Sequence, residues 1–387
     1  MRFSIRPTVP LVVVVLAGSC SSSAKPTARV RAATSTTAVT ATTTAPRDEA
    51  IYASPGPYKV GYTTLRMPDR YVDVWYPVDQ NAVEGRPKAT YNQRTPLPRD
   101  LKHFVPDAYN TVVTMEAYKD VAGSAKGPFP VLLFSHGASA YRMANSALTA
   151  GIASWGFVVV SADYLERGVV TQLPGQKSLT LDPKRDKRLM LASLDLISKE
   201  NDRAASLLHG IIDGTRVAAA GHSAGGTTAF DALNDPRVKV AVGWAPSAPS
   251  ATPADKPTMI IGASNDIGVP PTQLATTYGS FPAPKRRVEI GNAGHNSFTD
   301  LCLVTRSGGG MVQYAAKSHL VGQALAKLLL NGCEKTALTP EQFFPVVQHF
   351  TIAELRSVLR IDTEEVGLGD AISRAFPGIT MTYRHQR

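Results

Sequence analysis

The chain has 387 residues, of which 43% are hydrophobic and 19% are charged, so it can bury the core of a large globular domain. This composition excludes intrinsic disorder over most of the length, and no apolar run reaches the roughly 18–20 residues of a resident membrane-spanning helix. Lysine and arginine exceed aspartate and glutamate by 41 to 31, but no basic block concentrates the excess, so we expect no nucleic-acid partner.

The N-terminal residues have the pattern of an export signal. Arg2 and Arg6 provide a positive start, and residues 11–17 form an apolar stretch too short to span a bilayer. Residues 17–20 read Ala-Gly-Ser-Cys and resemble the lipobox of bacterial lipoproteins, in which the cysteine is acylated. We predict a signal peptide over residues 1–19 and an exported lipoprotein held on the outer side of the cell membrane through Cys20. Ordinary cleavage and secretion is the alternative.

Residues 20–50 are predicted to form a disordered tether. Alanine, threonine and serine make up most of residues 21–46, and such a segment has too little apolar surface to offset the entropy of ordering. We expect the globular domain to occupy residues 51–387 and to be a monomer.

The globular part opens with two runs rich in β-forming residues. Residues 58–65 and 71–76 are separated by Met67-Pro68-Asp69, which predicts an antiparallel hairpin. Residues 82–127 are polar, rich in proline and poorly periodic, and we interpret them as an insertion or a cover over the sheet, with no assigned role.

From residue 131 onward, short apolar runs alternate with segments of helical pattern. Continuously apolar runs are typical of strands buried on both faces of a parallel sheet, and they span residues 131–135, 157–162, 216–220, 238–244 and 258–262. Helices are predicted at residues 144–155, 182–212, 225–233, 318–330 and 350–359. The alternation predicts one doubly wound α/β domain with a mostly parallel central sheet. Residues 334–387 are predicted to be a helical C-terminal extension, again with no assigned role.

The strongest chemical signal is a nucleophile turn. Residues 221–225 read Gly-His-Ser-Ala-Gly, which fits G-x-S-x-G directly after a predicted strand and before a predicted helix. The pattern places Ser223 on a tight turn, where free helix N–H groups face developing negative charge. His222, next to it, is expected to pack against its surroundings.

A serine nucleophile needs a base, and the base needs an acid that orients it. His295 lies in a glycine-bearing loop directly after the predicted strand at residues 288–290 and is the predicted base. The other downstream histidines are expected in a helix, at a helix start and in the tail: His319, His349 and His385. Asp266 follows the strand at residues 258–262, at the end where functional groups collect, and is the predicted acid. The competing carboxylates are less well placed: Asp231, Asp235, Asp255 and Asp300.

Two backbone N–H groups are predicted to stabilise the oxyanion. One belongs to Ala224, the residue after the nucleophile. The second belongs to Ala138, in the loop after the strand at residues 131–135, with Gly137 as the alternative. Trp244 and Phe298 are predicted to line the substrate pocket, although a core position suits Trp244 at least as well.

These segments together resemble the α/β-hydrolase superfamily. The motifs that carry the resemblance are residues 127–137 (GPFPVLLFSHG), 221–226 (GHSAGG), 264–266 (SND) and 293–296 (AGHN). Within the superfamily, the sequence most resembles the branch that holds platelet-activating-factor acetylhydrolase-like proteins, dienelactone-hydrolase-like esterases and bacterial cutinase-type polyester hydrolases. The resemblance implies a Ser-His-Asp hydrolase of carboxylic esters that works through an acyl-enzyme, on substrates such as acetylated phospholipids or polyesters. The serine departs from the cysteine of true dienelactone hydrolases.

Two cysteines remain for the globular domain, Cys302 and Cys333. Export permits their oxidation, and cutinase-type hydrolases have a comparable C-terminal disulfide. The resemblance therefore implies a bridge that would pin the His295 loop to the helix predicted at residues 318–330. Two buried free thiols are the alternative.

An esterase or lipase is the preferred function over two others. A serine peptidase of this fold usually has a further gating domain, for which the chain has little room. A non-catalytic lipoprotein would not need Asp266 and His295 at triad positions. The dispersed cysteines and histidines form no metal-ligand spacing, so we expect neither a metal nor another cofactor.

Overall fold

The computed structural model of the protein describes residues 49–387. The predicted signal peptide, the lipid anchor at Cys20 and nearly all of the tether lie outside these residues. Within residues 49–387, no helix combines the length and the apolar composition needed to cross a membrane.

A ten-stranded sheet runs through the centre of the domain. The strands, numbered in chain order and including a separate two-stranded pair, are β1 (Lys59–Arg66), β2 (Tyr71–Val78), β3 (Thr90–Asn92), β4 (Val112–Thr114), β5 (Tyr118–Lys119), β6 (Phe129–Ser135), β7 (Val158–Ala162), β8 (Ile212–His222), β9 (Val238–Trp244), β10 (Thr258–Ala263), β11 (Lys285–Ile290) and β12 (Met381–Gln386). The order across the large sheet is β12-β11-β10-β9-β8-β6-β7-β2-β1-β5. Strands β6 to β11 pair in parallel, whereas β1 and β2 form an antiparallel hairpin.

Helices cover both faces of the sheet. They are α1 (Ser146–Ala153), α2 (Pro183–Asp202), α3 (Ala224–Ala232), α4 (Pro271–Ser280), α5 (Leu301–Arg306), α6 (Met311–Lys317), α7 (Gln323–Leu330) and α8 (Pro340–Val358). Alternate strand residues point to opposite faces, so Phe134 packs with residues of α1 and α8, and Leu133 packs with residues of α2, α3 and α4. The doubly wound α/β architecture predicted from the sequence is therefore confirmed.

Several element boundaries differ from the prediction. The helix predicted at residues 182–212 ends at Asp202, and β8 begins at Ile212. Of the helix predicted at residues 318–330, only Gln323–Leu330 is helical, as α7. Helix α6 ends before this range, at Lys317, and His319 between the two has a φ of 54°, which an α-helix cannot continue through.

The sequence predicted a helical C-terminal extension, and this prediction is wrong in part, because the extension ends in a strand. Strand β12 pairs antiparallel with β11 and completes that edge of the sheet. Helix α8 starts at Pro340, ten residues before the predicted helix, in a capping box formed by Thr339 and Gln342. His349 lies inside this helix, fully buried and bonded to the Gly367 carbonyl oxygen, and is not a cap.

Residues 82–127 form a loosely structured segment beside the sheet. Strands β3 and β4 pair with each other in a separate two-stranded sheet, and β5 adds in parallel to β1. Short 3₁₀ turns connect these strands, so the proline-rich pattern corresponds to turns and not to a further layer of helices.

Candidate active site

The turn at Ser223 joins β8 to α3 without an intervening loop. Strand β8 ends at His222, helix α3 begins at Ala224, and Ser223 between them has a φ of 55° and a ψ of −122°. The turn lies directly against the loop after β6, because a Cβ atom at Gly225 would be 1.9 Å from the Ser135 carbonyl oxygen. Glycine is therefore required there, and the turn leaves the Ser223 side chain partly exposed.

Ser223, His295 and Asp266 form a continuous hydrogen-bonded chain. The Ser223 hydroxyl oxygen is 3.0 Å from Nε2 of His295, and Nδ1 of His295 is 2.9 Å from Oδ2 of Asp266. The three residues follow β8, β11 and β10, and the carboxyl ends of parallel strands meet at one edge of the sheet. Each side chain was predicted from the sequence, and the structure brings all three together.

The acid is fixed by its own loop. Oδ1 of Asp266 accepts hydrogen bonds from the N–H groups of Gly268 and Val269, each at 2.7 Å. Asp266 is 4% exposed, and among the side chains of residues 49–387 only Nδ1 of His295 donates a hydrogen bond to its carboxylate. Since Nδ1 donates to the carboxylate, Nε2 is left with a lone pair that faces the Ser223 hydroxyl, as a general base requires.

The loop after β6 passes beside the nucleophile. A Cβ atom at Gly137 would be 3.4 Å from Cβ of Ser223, so the adjoining backbone N–H groups lie near the reacting hydroxyl. Ala138, the predicted donor, is partly exposed. The Ala224 N–H belongs to the first turn of α3, where N–H groups have no acceptor within the helix.

A buried arginine, which sequence reasoning missed, holds this loop in place. Arg167 is 0% exposed and donates to the His136 carbonyl oxygen at 2.6 Å and to the Ser135 hydroxyl at 2.7 Å. Its charge is paired with Asp186 at 2.8 Å. The Arg167 carbonyl oxygen accepts the Ser139 N–H, so one residue fixes both ends of the loop that contains Ala138.

His136 is buried in the same loop as a neutral ring. Its Nε2 accepts the Tyr164 N–H at 3.0 Å, so Nδ1 carries the proton and donates to the Gly137 carbonyl oxygen at 2.8 Å. Burial, together with the charge of Arg167, lowers the pKa of His136 to about 3. The ring therefore acts as a fixed support for the turn at Gly137.

Two family models match the chain. A PET hydrolase-like model matches residues 124–312, and a model of platelet-activating factor acetylhydrolase, isoform II, matches residues 44–201. Together they span the oxyanion loop, the nucleophile turn, the acid and the histidine. The sheet order, the nucleophile turn and these two matches all indicate the same fold. The chain has the α/β-hydrolase fold.

Individual relatives agree with this assignment. The chain is 29% identical over 181 residues to a bis(hydroxyethyl) terephthalate hydrolase of Streptomyces coelicolor; the match covers 45% of this chain and spans about half, 53%, of that relative. A solved ferulic acid esterase from Streptomyces cinnamoneus has a TM-score of 0.60 and 20% identity, and it covers 86% of this chain and 98% of its own. That likeness shows the same fold, and the relatives bear the names of ester hydrolases.

In this α/β-hydrolase fold, Asn331 connects the acid loop to the histidine loop. Its Oδ1 accepts the N–H of His295 at 2.8 Å and the N–H of Ile267 at 3.2 Å. Its Nδ2 donates to the Asn265 carbonyl oxygen at 3.1 Å. A single buried amide thus sets the spacing of the two loops, and no sequence signal marked it.

His222 lies beneath the base, in the packing role that the sequence predicted. Its Nε2 donates to the His295 carbonyl oxygen at 2.8 Å, and the two rings are 4.8 Å apart. Burial and the neighbouring His295 lower the pKa of His222 well below its usual value. The ring is therefore neutral and supports the base without taking a charge.

Trp244 and Phe298 do not line a pocket, which corrects the sequence-based prediction. Both are 0% exposed and stack on each other below His222. The Trp244 indole N–H donates to the Thr351 hydroxyl in α8, and Phe298 packs edge-on against Phe343. Helix α8 covers both rings, so they form the core beneath the site.

The structure pairs Cys302 with Cys333, as the resemblance implied. The bridge joins α5 to the residue that follows the Asn331-Gly332 turn after α7. It therefore lies two residues from the amide that bonds His295. Within residues 49–387, no group of histidine, cysteine, aspartate or glutamate side chains is arranged to hold a metal ion.

Proposed function

We propose that this α/β-hydrolase is a serine hydrolase of carboxylic esters. The observation that carries the proposal is the hydrogen-bonded chain from the Ser223 hydroxyl through His295 to Asp266. A serine hydroxyl bonded to a histidine that is itself oriented by a carboxylate is an activated nucleophile. The names of the relatives favour an ester as the substrate.

The proposed reaction passes through an acyl-enzyme. The Ser223 oxygen attacks the ester carbonyl carbon while Nε2 of His295 takes the hydroxyl proton, and the N–H groups of Ala224 and Ala138 face the resulting oxyanion. His295 then gives that proton to the leaving alcohol. Water, deprotonated by the same nitrogen, attacks the acyl-enzyme, and His295 returns the proton to the departing Ser223 oxygen as the acid is released. Asp266 stabilises the positive imidazolium in both halves of the reaction.

We propose small esters of aromatic acids as the first substrates to test. The relatives are named for a terephthalate ester and for ferulic acid, and in both acids an aromatic ring is conjugated with the carboxyl group. The match to the acetylhydrolase model makes acetylated phospholipid the second class. We further propose that the protein acts outside the cell as a lipoprotein anchored through Cys20, or is secreted.

The test compares Ser223→Ala with a matched serine control. The first variant should lose about 10³-fold or more of kcat/KM on bis(hydroxyethyl) terephthalate and p-nitrophenyl acetate, because the nucleophile is absent. Ser198→Ala changes an equally half-buried serine on α2 and should keep the wild-type rate. His295→Ala should lose nearly as much as Ser223→Ala, and the double variant no more. A Ser223→Ala protein with a tenth of wild-type activity would contradict the proposal.

A further inference from the structure

The N–H group of Ala138 is available to a substrate. It makes no hydrogen bond within residues 49–387, and Ala138 is partly exposed. The preceding residue, Gly137, lies against Ser223. A donor in this place stabilises an oxyanion effectively only if its position is fixed before the charge develops. What holds the loop around Ala138 therefore bears directly on the proposed reaction.

The turn that follows Ala138 is held from outside the loop. Ser139 has a φ of 60°, in the left-handed region that costs a residue other than glycine free energy. Its N–H donates to the Arg167 carbonyl oxygen at 2.7 Å, and the Val169 N–H donates to the Ala140 carbonyl oxygen at 2.9 Å. A strained conformation of this kind persists only where the surrounding structure holds it. The backbone at residues 167–169 supplies that support.

The side chain of Arg167 holds the other end of the same loop. Its Nη1 donates to the His136 carbonyl oxygen at 2.6 Å, and its Nη2 donates to the Ser135 hydroxyl at 2.7 Å. These two bonds lie before Ala138 in the chain, and the bond from the Ser139 N–H lies after it. The oxyanion donor is therefore enclosed between two attachments to one residue.

Asp186 orients the guanidinium that makes these bonds. It lies in the first turn of α2, and its Oδ2 is 2.8 Å from Nε of Arg167. Arg167 and Asp186 are 0% and 3% exposed. A guanidinium is planar with its donors in a fixed fork, so the carboxylate on one edge determines where Nη1 and Nη2 point. The position of the loop is thereby tied to helix α2.

We propose that Arg167, oriented by Asp186, is a positioning residue that holds the Ala138 N–H where the oxyanion of the tetrahedral intermediate forms. Both side chains are buried and act through the loop. The inference rests on the proposed ester hydrolysis and adds two residues to it. Because the oxyanion exists only after Ser223 has attacked, the arginine should affect kcat more than KM.

The test begins with Arg167→Met/Asp186→Asn, which removes both charges together and leaves neither buried alone. On p-nitrophenyl acetate, kcat should fall at least about tenfold and KM should change less than about threefold. The control is Arg356→Met/Asp362→Asn, which removes an ion pair of 2.6 Å at the end of α8 and should keep the wild-type kcat. All rates are measured at a temperature where circular dichroism shows intact fold.

A second measurement reports on the oxyanion itself. When 2,2,2-trifluoroacetophenone binds, the Ser223 oxygen adds to the ketone carbon, the hydroxyl proton passes to His295, and the ketone oxygen becomes an oxyanion. Its inhibition constant should rise at least about tenfold in Arg167→Met/Asp186→Asn. A residue that only stabilised the fold would leave this constant unchanged in folded protein. In a Ser223→Ala background, where no oxyanion can form, the same two substitutions should not change ketone binding.

Arg167→Lys tests the fork while keeping the charge beside Asp186. One ammonium group cannot reproduce the planar arrangement of three bonds, so kcat should again fall about tenfold, and this variant carries the test if the double variant does not fold. Wild-type kcat and ketone inhibition in either folded variant would overturn this inference alone. A wild-type protein that neither hydrolyses an ester nor binds the ketone would instead contradict the proposed function, and this inference with it.

Discussion

At the scale of single residues, the geometry of the site depends on an amide that takes no part in the reaction. Asn331 bonds the backbone on both sides of the gap between the acid loop and the histidine loop. The distance from Nδ1 of His295 to the carboxylate depends on how these loops are held. A misplacement of about 1 Å in a catalytic group can cost about 10²-fold in rate, so we assign Asn331 a positioning role.

Replacing Asn331 by alanine should lower kcat about tenfold or more and change KM less than about threefold. The reason is that the substrate-binding groups stay in place while His295 loses its fixed position. Asn331→Asp keeps the acceptor for the His295 N–H and should recover part of the loss. Steady-state kinetics at a temperature where circular dichroism shows intact fold would measure this split, with Asn234→Ala on an exposed turn as the control. A parallel loss of kcat and melting temperature without partial recovery in Asn331→Asp would show that the amide only stabilises the fold.

The contrast between the triad and Asn331 shows what a sequence reveals at this scale. Ser223, Asp266 and His295 could be predicted because each follows an apolar strand in a recognisable turn. Asn331 and Arg167 could not, because the loops that they bond lie far away in the chain. The sequence left Trp244 open between a pocket and a core position, because its place at a strand end suited both. The distant helix α8 covers it and makes it a core residue.

At the scale of secondary-structure elements, one helix near the site is capped from another part of the chain. Helix α1 begins at Ser146 after Asn145, whose side chain makes no capping bond. The Asp300 carboxylate instead accepts the N–H groups of Ser146 at 2.9 Å and Ala147 at 3.2 Å. It also accepts the Tyr91 hydroxyl at 2.9 Å. Asp300, which the sequence analysis weighed against Asp266 as the catalytic acid, therefore stabilises the start of α1.

The protonation of Asp300 should make stability depend on pH. Burial raises the pKa of Asp300 to about 6, whereas an aspartate in an unfolded chain has a pKa of about 3.9. Between these values the native state holds a proton that the unfolded state has lost. The free energy of unfolding therefore decreases as the pH rises from about 4 to about 6, by up to about 3 kcal/mol from this group.

Urea unfolding of wild type and Asp300→Asn at pH 4, 5, 6 and 7 measures this effect. Asparagine does not titrate, so the difference between the two proteins should shrink as the pH rises through this window. Asp195→Asn, at an exposed position on α2, serves as the control and should lack the trend. A constant difference across all four pH values would mean that Asp300 is ionised in the native state throughout.

Strands with an apolar run could be predicted from the sequence, whereas elements that depend on distant contacts could not. The parallel strands β6 to β10 were predictable because burial on both faces makes each contain a continuous apolar run. Strand β12 was not, since its exposure alternates at the sheet edge and only pairing with β11 makes it a strand. Helix α8 contains Pro345 within its first turns, which concealed the true start at Pro340.

At the scale of the whole molecule, the C-terminal part completes a site whose motifs lie elsewhere. Residues 313–387 lie outside both matched family segments, yet they include Asn331, Cys333, α8 and β12. These residues bond the histidine loop, cover the aromatic core below it and close the sheet edge beside β11. The catalytic motifs therefore depend on a segment that motif matching alone does not recognise.

The remaining question at this scale is how the domain is held in its compartment. Residues 1–48 contain the predicted export signal and Cys20, and the proposed triad lies entirely within residues 223–295. Anchoring and catalysis should therefore be separable. Cys20→Ser should move the protein from the detergent phase to the aqueous phase, or leave it unprocessed, while kcat/KM of the purified protein stays the same, because the acyl chains would supply the membrane affinity.

Detergent phase partition of wild type, Cys20→Ser and Cys302→Ser separates the role of acylation from that of the cysteines in general. Cys302→Ser breaks the bridge to Cys333 but leaves the N-terminal cysteine, so it should remain in the detergent phase. Its melting temperature should fall, because opening a loop of about 30 residues removes roughly 3–4 kcal/mol of stability. Wild-type protein in the aqueous phase would favour secretion with ordinary cleavage, and the tether would then carry no membrane function.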